Sequence, residues 1–569
     1  MGLATIDLVI VVGYVVVSVG IGLYFSRRAT KSVEEYFVAG RSLPWWLAGV
    51  SMIASAFAID TPLGIAGLVE RDGIQGVWFA WTYIIGGAGT FGAFVFAALL
   101  RRSDIVTTAE LIELRYAGRG AALLRGFKGV YFGVLSVAIS MGWVMRSVLV
   151  IAEQSFGWDA TWTLVIVIGL TIAYTTTSGL WGVAVTDFIQ FFVGSAGSIA
   201  LAYYALGSAG GISGLVAALG TRYGVSEAQR RLRFLPRPDD RMFYKFLVFV
   251  TLKWWGNPPA ALNQRLMSTK DERHATFSQL LFTVVHFALN YWPMILVALV
   301  AITTFPERKA EHAYALLLVK VLPSGMLGLM LASITAAFMS TIDTQANTGA
   351  SFIVTDIYRR FIKRNASTAH YVRASQIGTL VMLGLAVVIA IFMDSVKGAW
   401  EYLATMTAGY GFVVVARWFW WRISAWTEFA ALAGSAVGSL IANHVLVDQL
   451  TSFGARFGFV AAFSTACWIG VTLVTPPPDL DSLARFCRMV RPFPMGWGPV
   501  REKYDDIRWS LDGARRFGLW GVGLVLVFSL CFGSGYLLFG ELARGVPLVV
   551  VGILCLFAVK VFWPDKTAS

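Results

Sequence analysis

Residues Ala336-Ala337-Phe338-Met339-Ser340-Thr341-Ile342-Asp343-Thr344-Gln345 place two adjacent hydroxyls and a carboxylate inside an apolar run. On a helix, positions 337, 340, 341 and 344 share one face, because their spacings are three and four. The hydroxyls of Ser340 and Thr341 then project beside the carbonyl of Ala337. A second apolar run is interrupted at Ala58-Ile59-Asp60-Thr61-Pro62-Leu63-Gly64. Proline removes an amide donor and clashes with the preceding turn, so the chain is expected to unwind there and free carbonyls near Ala58 and Thr61. Oxygens from the two runs can converge on one point. Neutral oxygen ligands without sulfur or imidazole suit a hard cation held weakly and do not suit zinc or copper.

A matching interruption, Trp254-Trp255-Gly256-Asn257-Pro258-Pro259, lies in a later run. Ionisable residues inside apolar runs cost a few kcal/mol in lipid unless paired or hydrated, so Asp60, Asp187, Asp343, Arg146, Lys253 and Glu401 are functional candidates. Arg146, in AISMGWVMRSVLV, carries a guanidinium fork that matches a carboxylate. Asp60, Trp143, Arg146, Trp255 and Asn257 form the candidate solute-binding set. Lys253 and Glu401 lie nearer the ends of their runs and are expected to reach water. His286 reads as a satisfied interior histidine. The cysteines show no CxxC spacing and the histidines no i, i+4 pair, so neither a disulfide framework nor a transition-metal site is expected. No nucleophile, base and orienting group come together in the sequence, so an enzyme is not expected.

These residues need elements that cross a membrane. The chain is 57% hydrophobic and only 14% charged, with a mean hydropathy of +0.68, which excludes an ordinary soluble enzyme and a disordered chain. Apolar stretches long enough to span a ~30 Å hydrocarbon core number about fifteen, the first at 6–26 and the last at 543–563. The expected all-α organisation is a first helix and loop (1–43), a set of five helices (44–206), an external loop (207–242), and a second set of five (243–421). Two more helices (422–475), a cytoplasmic interfacial segment (476–515) and a final pair (516–569) follow. Each set of five begins with an interrupted helix. Because five is odd, the second set enters from the opposite side, the pattern of an inverted repeat with its site at the bilayer midplane.

The net charge of +13 comes from basic residues in short loops. They read as topology signals, not as a nucleic-acid surface, and roughly twice as many fall on the side that makes the N-terminus external and the C-terminus cytoplasmic. The arginine-rich loop 207–242 runs against this bias and reads as a solvated external cap. Residues 476–515, which mix basic and aromatic side chains, are expected along the membrane surface.

Four passages in order, EYFVAGRSLPWW, SGLWGVAVTDFIQFF, NQRLMSTKDERHA and ASITAAFMSTIDTQ, give the chain a resemblance to the sodium:solute symporter family over at least residues 6–476. The resemblance implies a LeuT-type five-plus-five inverted repeat and a sodium-coupled secondary active symporter working by alternating access. It implies a sodium site made by the carbonyls of Ala58, Thr61 and Ala337 and the hydroxyls of Ser340 and Thr341. It also implies a second cation site or ion exit at Asp187, Ser340, Asp343 and Thr344, where the Asp343 carboxylate leaves a proton alternative open. Sodium is the expected coupling ion, with no other cofactor. The expected partners are a small solute and the lipid bilayer, with the protein working as a monomer in the plasma (bacterial inner) membrane. Sugar-transporting members carry polar side chains where this chain has Leu63, Gly64 and Ile65. That departure, with Arg146, favours an amino acid or small carboxylate over a sugar. A transporter-like sensor is a further, weaker reading.

Overall fold

The computed structural model describes residues 3–29, 33–253, 260–393 and 395–563. Helix α1 (Thr5–Ala29) precedes the interrupted pair α2 (Trp45–Ala56) and α3 (Asp60–Asp72), after which short helical turns carry the chain through 73–102. Then come α4 (Gly118–Phe156), α5 (Ala160–Ser208), α6 (Phe243–Thr251), α7 (Ala260–Met267), α8 (Glu272–Thr304), α9 (Met326–Ile362) and α10 (Thr368–Phe392). The chain ends with α11 (Val396–Met406), α12 (Tyr410–Phe419), α13 (Ala425–Val445), α14 (Phe453–Val474), α15 (Leu480–Val490), α16 (Gly513–Leu538) and α17 (Leu542–Val561). Among the described residues nine helices are long and apolar enough to cross a bilayer, or ten when the bent α2/α3 pair counts as one. This is a multi-pass integral membrane protein.

Helical segments lie in every apolar stretch read from the sequence, but the boundaries differ in two places. The stretches 160–177 and 180–206 form one helix, α5, of 49 residues. At about 1.5 Å per residue it is far longer than one crossing needs. No proline falls between 160 and 208, so nothing in the sequence obliges the helix to stop. The interruption after α2 is also narrower than expected. Phe57 ends α2, its amide donating to Ile53 O at 2.8 Å, and α3 already begins at Asp60 with a bend of 57° between the two. Pro62 thus sits in the first turn of α3, where an amide would be unpaired anyway.

Helix α5 lies along α9, α1 packs against both, α2 packs on α5 and α8, and α4 packs on α9 and α10. Small residues permit the α5/α9 approach. A Cβ at Gly197 would overlap the Ser333 side chain, whose hydroxyl donates to Val193 O at 2.7 Å. Helix α1 is tied to the start of α9 by Asp7. Its buried Oδ1 accepts from Gly325 N and Gly328 N, both at 2.7 Å, satisfying amides that no carbonyl of α9 can reach. Asp7→Ala is expected to cost about 1–2 kcal/mol, as for other lost N-terminal caps. Thermal unfolding of the purified protein should show a lower midpoint, and an unchanged one would deny Asp7 that role.

Two belts of ion pairs mark opposite ends of the bundle. At one, Arg102 pairs with Glu272 at 2.6 Å, and Arg125 bridges Glu113 and Asp356, each at 2.7 Å. At the other, Arg71 pairs with Glu401 at 2.9 Å and Lys245 with Asp72 at 3.1 Å. The loop expected to be a solvated cap is docked at this second end. Arg231 donates to Glu70 O at 2.9 Å, and Trp78 Nε1 donates to Phe234 O at 2.8 Å. Gly73, at φ +68°, lets the chain pass directly over the Arg231 backbone. The carboxylate of Glu227 in this loop is held below its ordinary range, chiefly by the hydrogen bond from Arg230. Residues 476–512 also differ from expectation. The apolar face of α15 turns toward protein, with Leu483, Phe486 and Val490 fully buried against 97–102 and 110–115.

Candidate functional site

The break between α2 and α3 faces the middle of α9, so the helix face read from sequence and the interruption do meet. Thr341 Oγ1 donates to Ala337 O at 2.9 Å on its own helix and to Ser55 O at 3.0 Å across the break. Thr61 closes the other side, its amide donating to Ala58 O at 3.0 Å and its hydroxyl to Ala56 O at 3.1 Å. Each of these carbonyls has a second lone pair. Ala58, Thr61, Ala337, Ser340 and Thr341 are all buried. Ser55, one turn before the break, joins them without having been singled out from sequence, and its hydroxyl meets Thr344 Oγ1 at 3.0 Å.

Deeper along the same α9 face is a polar cluster. Asp187 Oδ1 accepts from Ser340 Oγ at 2.5 Å and its Oδ2 from Ser51 Oγ. Arg265, fully buried on α7, reaches Asp187 Oδ2 at 3.4 Å, Ser51 Oγ at 2.7 Å and Thr344 Oγ1 at 2.6 Å. Three members of the second candidate set, Asp187, Ser340 and Thr344, therefore come together. Asp343 is buried on α9 beside Thr344. Arg265 was legible only as part of NQRL. It belongs to the cluster because α7 carries it inward from the end of its span.

Beside the break lies a cavity of about 360 Å³. Asp60, Trp143, Ser140 and Gln345 line it around the break, with Phe79 and Trp400 toward the Arg71 end. Trp400 is the closing element there. Its Nε1 donates to Asp60 Oδ2 at 3.1 Å, its indole stacks on Phe79 at 6.3 Å between centroids and meets Trp143 edge-on at 6.4 Å. A Cβ on Gly64 would overlap that indole, so the small residue makes room for the ring. Asp60 Oδ1, buried and lining the cavity, has no hydrogen-bond partner among the described residues. Gln345 Nε2 donates to Ser140 Oγ at 2.6 Å, leaving the amide oxygen of Gln345 for a guest.

From this level the lining runs toward the Arg102 end, through Phe132 and Leu100 to Lys128 and Arg417. Three of the segments facing it carry π-helical turns, 92–96, 129–136 and 283–290, a distortion that recurs where helices form binding sites.

The remaining candidates distribute as follows. Arg146 lies one turn beyond Trp143 on α4 but is not a lining residue, and sits within electrostatic reach of Glu311 on the packed helix Ala310–Val321. Lys253 is buried instead of reaching water. Its Nζ donates to Phe79 O at 2.6 Å and lies 3.9 Å and 3.8 Å from the Phe79 and Tyr83 ring centroids. Glu401 is paired to Arg71. His286 shares a hydrogen bond of 3.2 Å with Tyr291 OH and also lines the cavity. Trp255 and Asn257 lie outside the described residues. Trp400, Ser140 and Gln345 were missed because only tertiary packing brings them to the break. For Ser140 and Gln345 the available signal was a polar group within an apolar run, in passages already quoted for other residues.

Comparison with known proteins bears on the family and the fold. Residues 36–438 match the model of the sodium:solute symporter family. The chain is 26% identical to a sodium/mannose cotransporter of Bos taurus, over 77% of this chain and 79% of that protein. It is 25% identical to a sodium/glucose cotransporter of Vibrio parahaemolyticus, over 71% of this chain and 78% of that protein. Among solved structures it is similar in fold to a Na+-coupled sialic acid symporter in a substrate-bound outward-open state. The TM-score is 0.67 and the identity 19%, covering 84% of this chain and 99% of that one.

Proposed function

The chain belongs to the sodium:solute symporter family, and from that premise we propose that it couples sodium entry to import of a small polar solute bearing ammonium or hydroxyl donors. The observation that carries the solute class is Asp60. Its Oδ1 faces the cavity with no hydrogen-bond partner among the described residues, and a buried carboxylate oxygen left in that state is costly. A donor on the solute relieves that cost. An amino acid does so through its ammonium, which keeps that part of the expected preference. A simple carboxylate lacking a donor fits less well, because Arg146 is off the lining. A sugar is the second reading. The sugar-cotransporting relatives favour it, and Trp143 and Trp400 offer ring faces on which a sugar could stack.

Sodium binds in this reading at Ala58, Thr61, Ala337, Ser340 and Thr341, the place where the break meets α9. Its neutral ligands allow release as well as capture. Asp187, Ser340, Asp343 and Thr344 remain the proposed exit or second cation site, with Arg265 supplying positive charge opposite Asp187 when no cation is there. The interrupted pair α2/α3, and the run carrying α6 and α7 whose expected break at 254–259 lies outside the described residues, are proposed to head two inverted five-helix repeats, and the crossing count of about fifteen goes with that arrangement. The cavity lining extends to the Arg102 end while Trp400 and the Arg71–Glu401 pair close the other. With the N-terminus external, this is an inward-facing conformation in a plasma membrane.

The direct test is uptake into proteoliposomes under an inward sodium gradient, with choline replacing sodium at fixed pH. Labelled amino acids, carboxylates and hexoses should be compared at equal concentration. Sodium-dependent accumulation of an amino acid is the expected result. Accumulation of hexoses alone selects the second reading, and accumulation driven equally in choline by a proton gradient would overturn sodium coupling.

A further inference from the structure

The Arg102 end of the cavity gathers buried cationic side chains, one of which has no direct partner among the described residues. Arg115, Lys128 and Arg417 are buried together there at 0%, 3% and 4% exposure, with two fully buried carboxylates, Glu428 and Asp356, among them. Glu428 is fully engaged. It accepts from Tyr116 OH at 2.9 Å, from Tyr410 OH at 3.1 Å, and from Arg417 Nη1 at 3.2 and 3.3 Å. The neighbouring Asp356 is taken by Arg125 and by Thr107 Oγ1, each at 2.7 Å. Arg115 spends one donor on Trp420 O and otherwise lies against aromatic faces, including Trp497 at 5.0 Å.

Lys128 is the residue left over. Among the described residues its ammonium makes no hydrogen bond or ion pair, and its nearest recorded partner is the Tyr410 ring, 5.7 Å away at the centroid. It lines the cavity, as do Arg417 and Thr108. Arg417 Nε is likewise without an acceptor among the described residues. Glu428 and Asp356 act on the Lys128 ammonium only from a distance, and a buried ammonium with no directly bonded acceptor is unfavourable, so an anion entering through the cavity would stabilise the arrangement. An ammonium and a guanidinium edge that line one cavity make a receptor for one small negative group.

We propose that Lys128 and Arg417 form an anion subsite at the Arg102 end of the cavity, which takes a small monovalent anion. The anion is either the carboxylate of the solute on its way out or a free ion such as chloride. The symporter reading enters only in naming the solute as one source. Asp60 would then hold the donor end of a solute at the break, and Lys128 would receive its carboxylate as it moves toward release.

The test is thermal unfolding of the purified full chain at fixed sodium concentration. The bulky HEPES anion is replaced stepwise by chloride or by acetate. Wild type and Lys128→Arg should show a saturable rise in midpoint, and Lys128→Met should need roughly tenfold more anion for the same rise, as loss of a charged hydrogen bond implies. A rise with chloride assigns the site to free anions, a rise with acetate alone assigns it to carboxylates, and a rise with both supports the shared chemistry. No saturable rise in wild type, or the same rise in Lys128→Met, would overturn the subsite. Should Lys128→Met not fold, the wild-type titration still decides, and Lys128→Gln supplies the second variant. Sodium titration in HEPES, against choline, reports separately on the sodium site.

Discussion

Ser340→Ala combined with Thr341→Ala is expected to abolish both sodium-dependent stabilisation and sodium-driven uptake. The proposed ion site draws its only side-chain oxygens from these two residues, and each hydrogen-bonding or coordinating group toward a charge contributes about 1.5–3 kcal/mol. Losing both should weaken sodium affinity by about a hundredfold or more. At a sodium concentration near 100 times the wild-type Kd, bound ion stabilises the folded state by about 2.7 kcal/mol, and a hundredfold weaker site retains only about 0.4 kcal/mol. The thermal shift on adding sodium should therefore nearly vanish, and uptake with it. Thr341 also ties Ser55 O across the break, so the double variant should be less stable even without sodium. Thr341→Ser, which keeps the hydroxyl, should restore most of both effects. A double variant that keeps a full sodium shift would remove the ion from this position.

The part of this site that sequence made visible is the part set by local periodicity. Residues 337, 340, 341 and 344 share a face because of helix geometry alone, and a proline-glycine interruption marks the partner helix wherever that helix lies. Asp187 stood out because carboxylates are rare in apolar runs. What stayed hidden depends on tertiary placement. Arg265 looks like the start of a loop, yet α7 carries it beside Asp187. Trp400 reads as one more aromatic, and only the room left by Gly64 shows that it closes a cavity. Lys128 was not singled out from sequence, although it lies within an apolar run, and only the structure shows it buried against the cavity. Arg146 shows the converse. Its chemistry fitted a carboxylate, but a turn of helix separates it from the lining. Boundaries fared similarly. The merging of two expected spans into α5 could not be foreseen, because helix propensity supplies starts and stops only where proline, glycine or caps occur.

Asp60→Asn is expected to raise the solute concentration for half-maximal uptake while leaving the sodium-induced thermal shift in place. The size of the rise identifies the donor. An ammonium paired with an ionised carboxylate in a buried site loses a charged hydrogen bond of about 1.5–3 kcal/mol, which is roughly a 10- to 100-fold loss of affinity. A sugar hydroxyl, unlike an ammonium, can accept as well as donate, so it can turn to accept from the asparagine NH2 that replaces Oδ1. It loses only about 0.5–1.5 kcal/mol, a change of about 2- to 10-fold. The substitution keeps the shape of the side chain and an acceptor for Trp400 Nε1, so the closing contact at 3.1 Å should survive and folding should not confuse the result. Wild type and variant need to be measured at saturating sodium, so that a change in ion affinity cannot pass for a change in solute affinity. If instead the solute constant is unchanged and the sodium shift collapses, Asp60 serves the ion, and the carboxylate at the break belongs with Ser340 and Thr341 as part of the cation's surroundings.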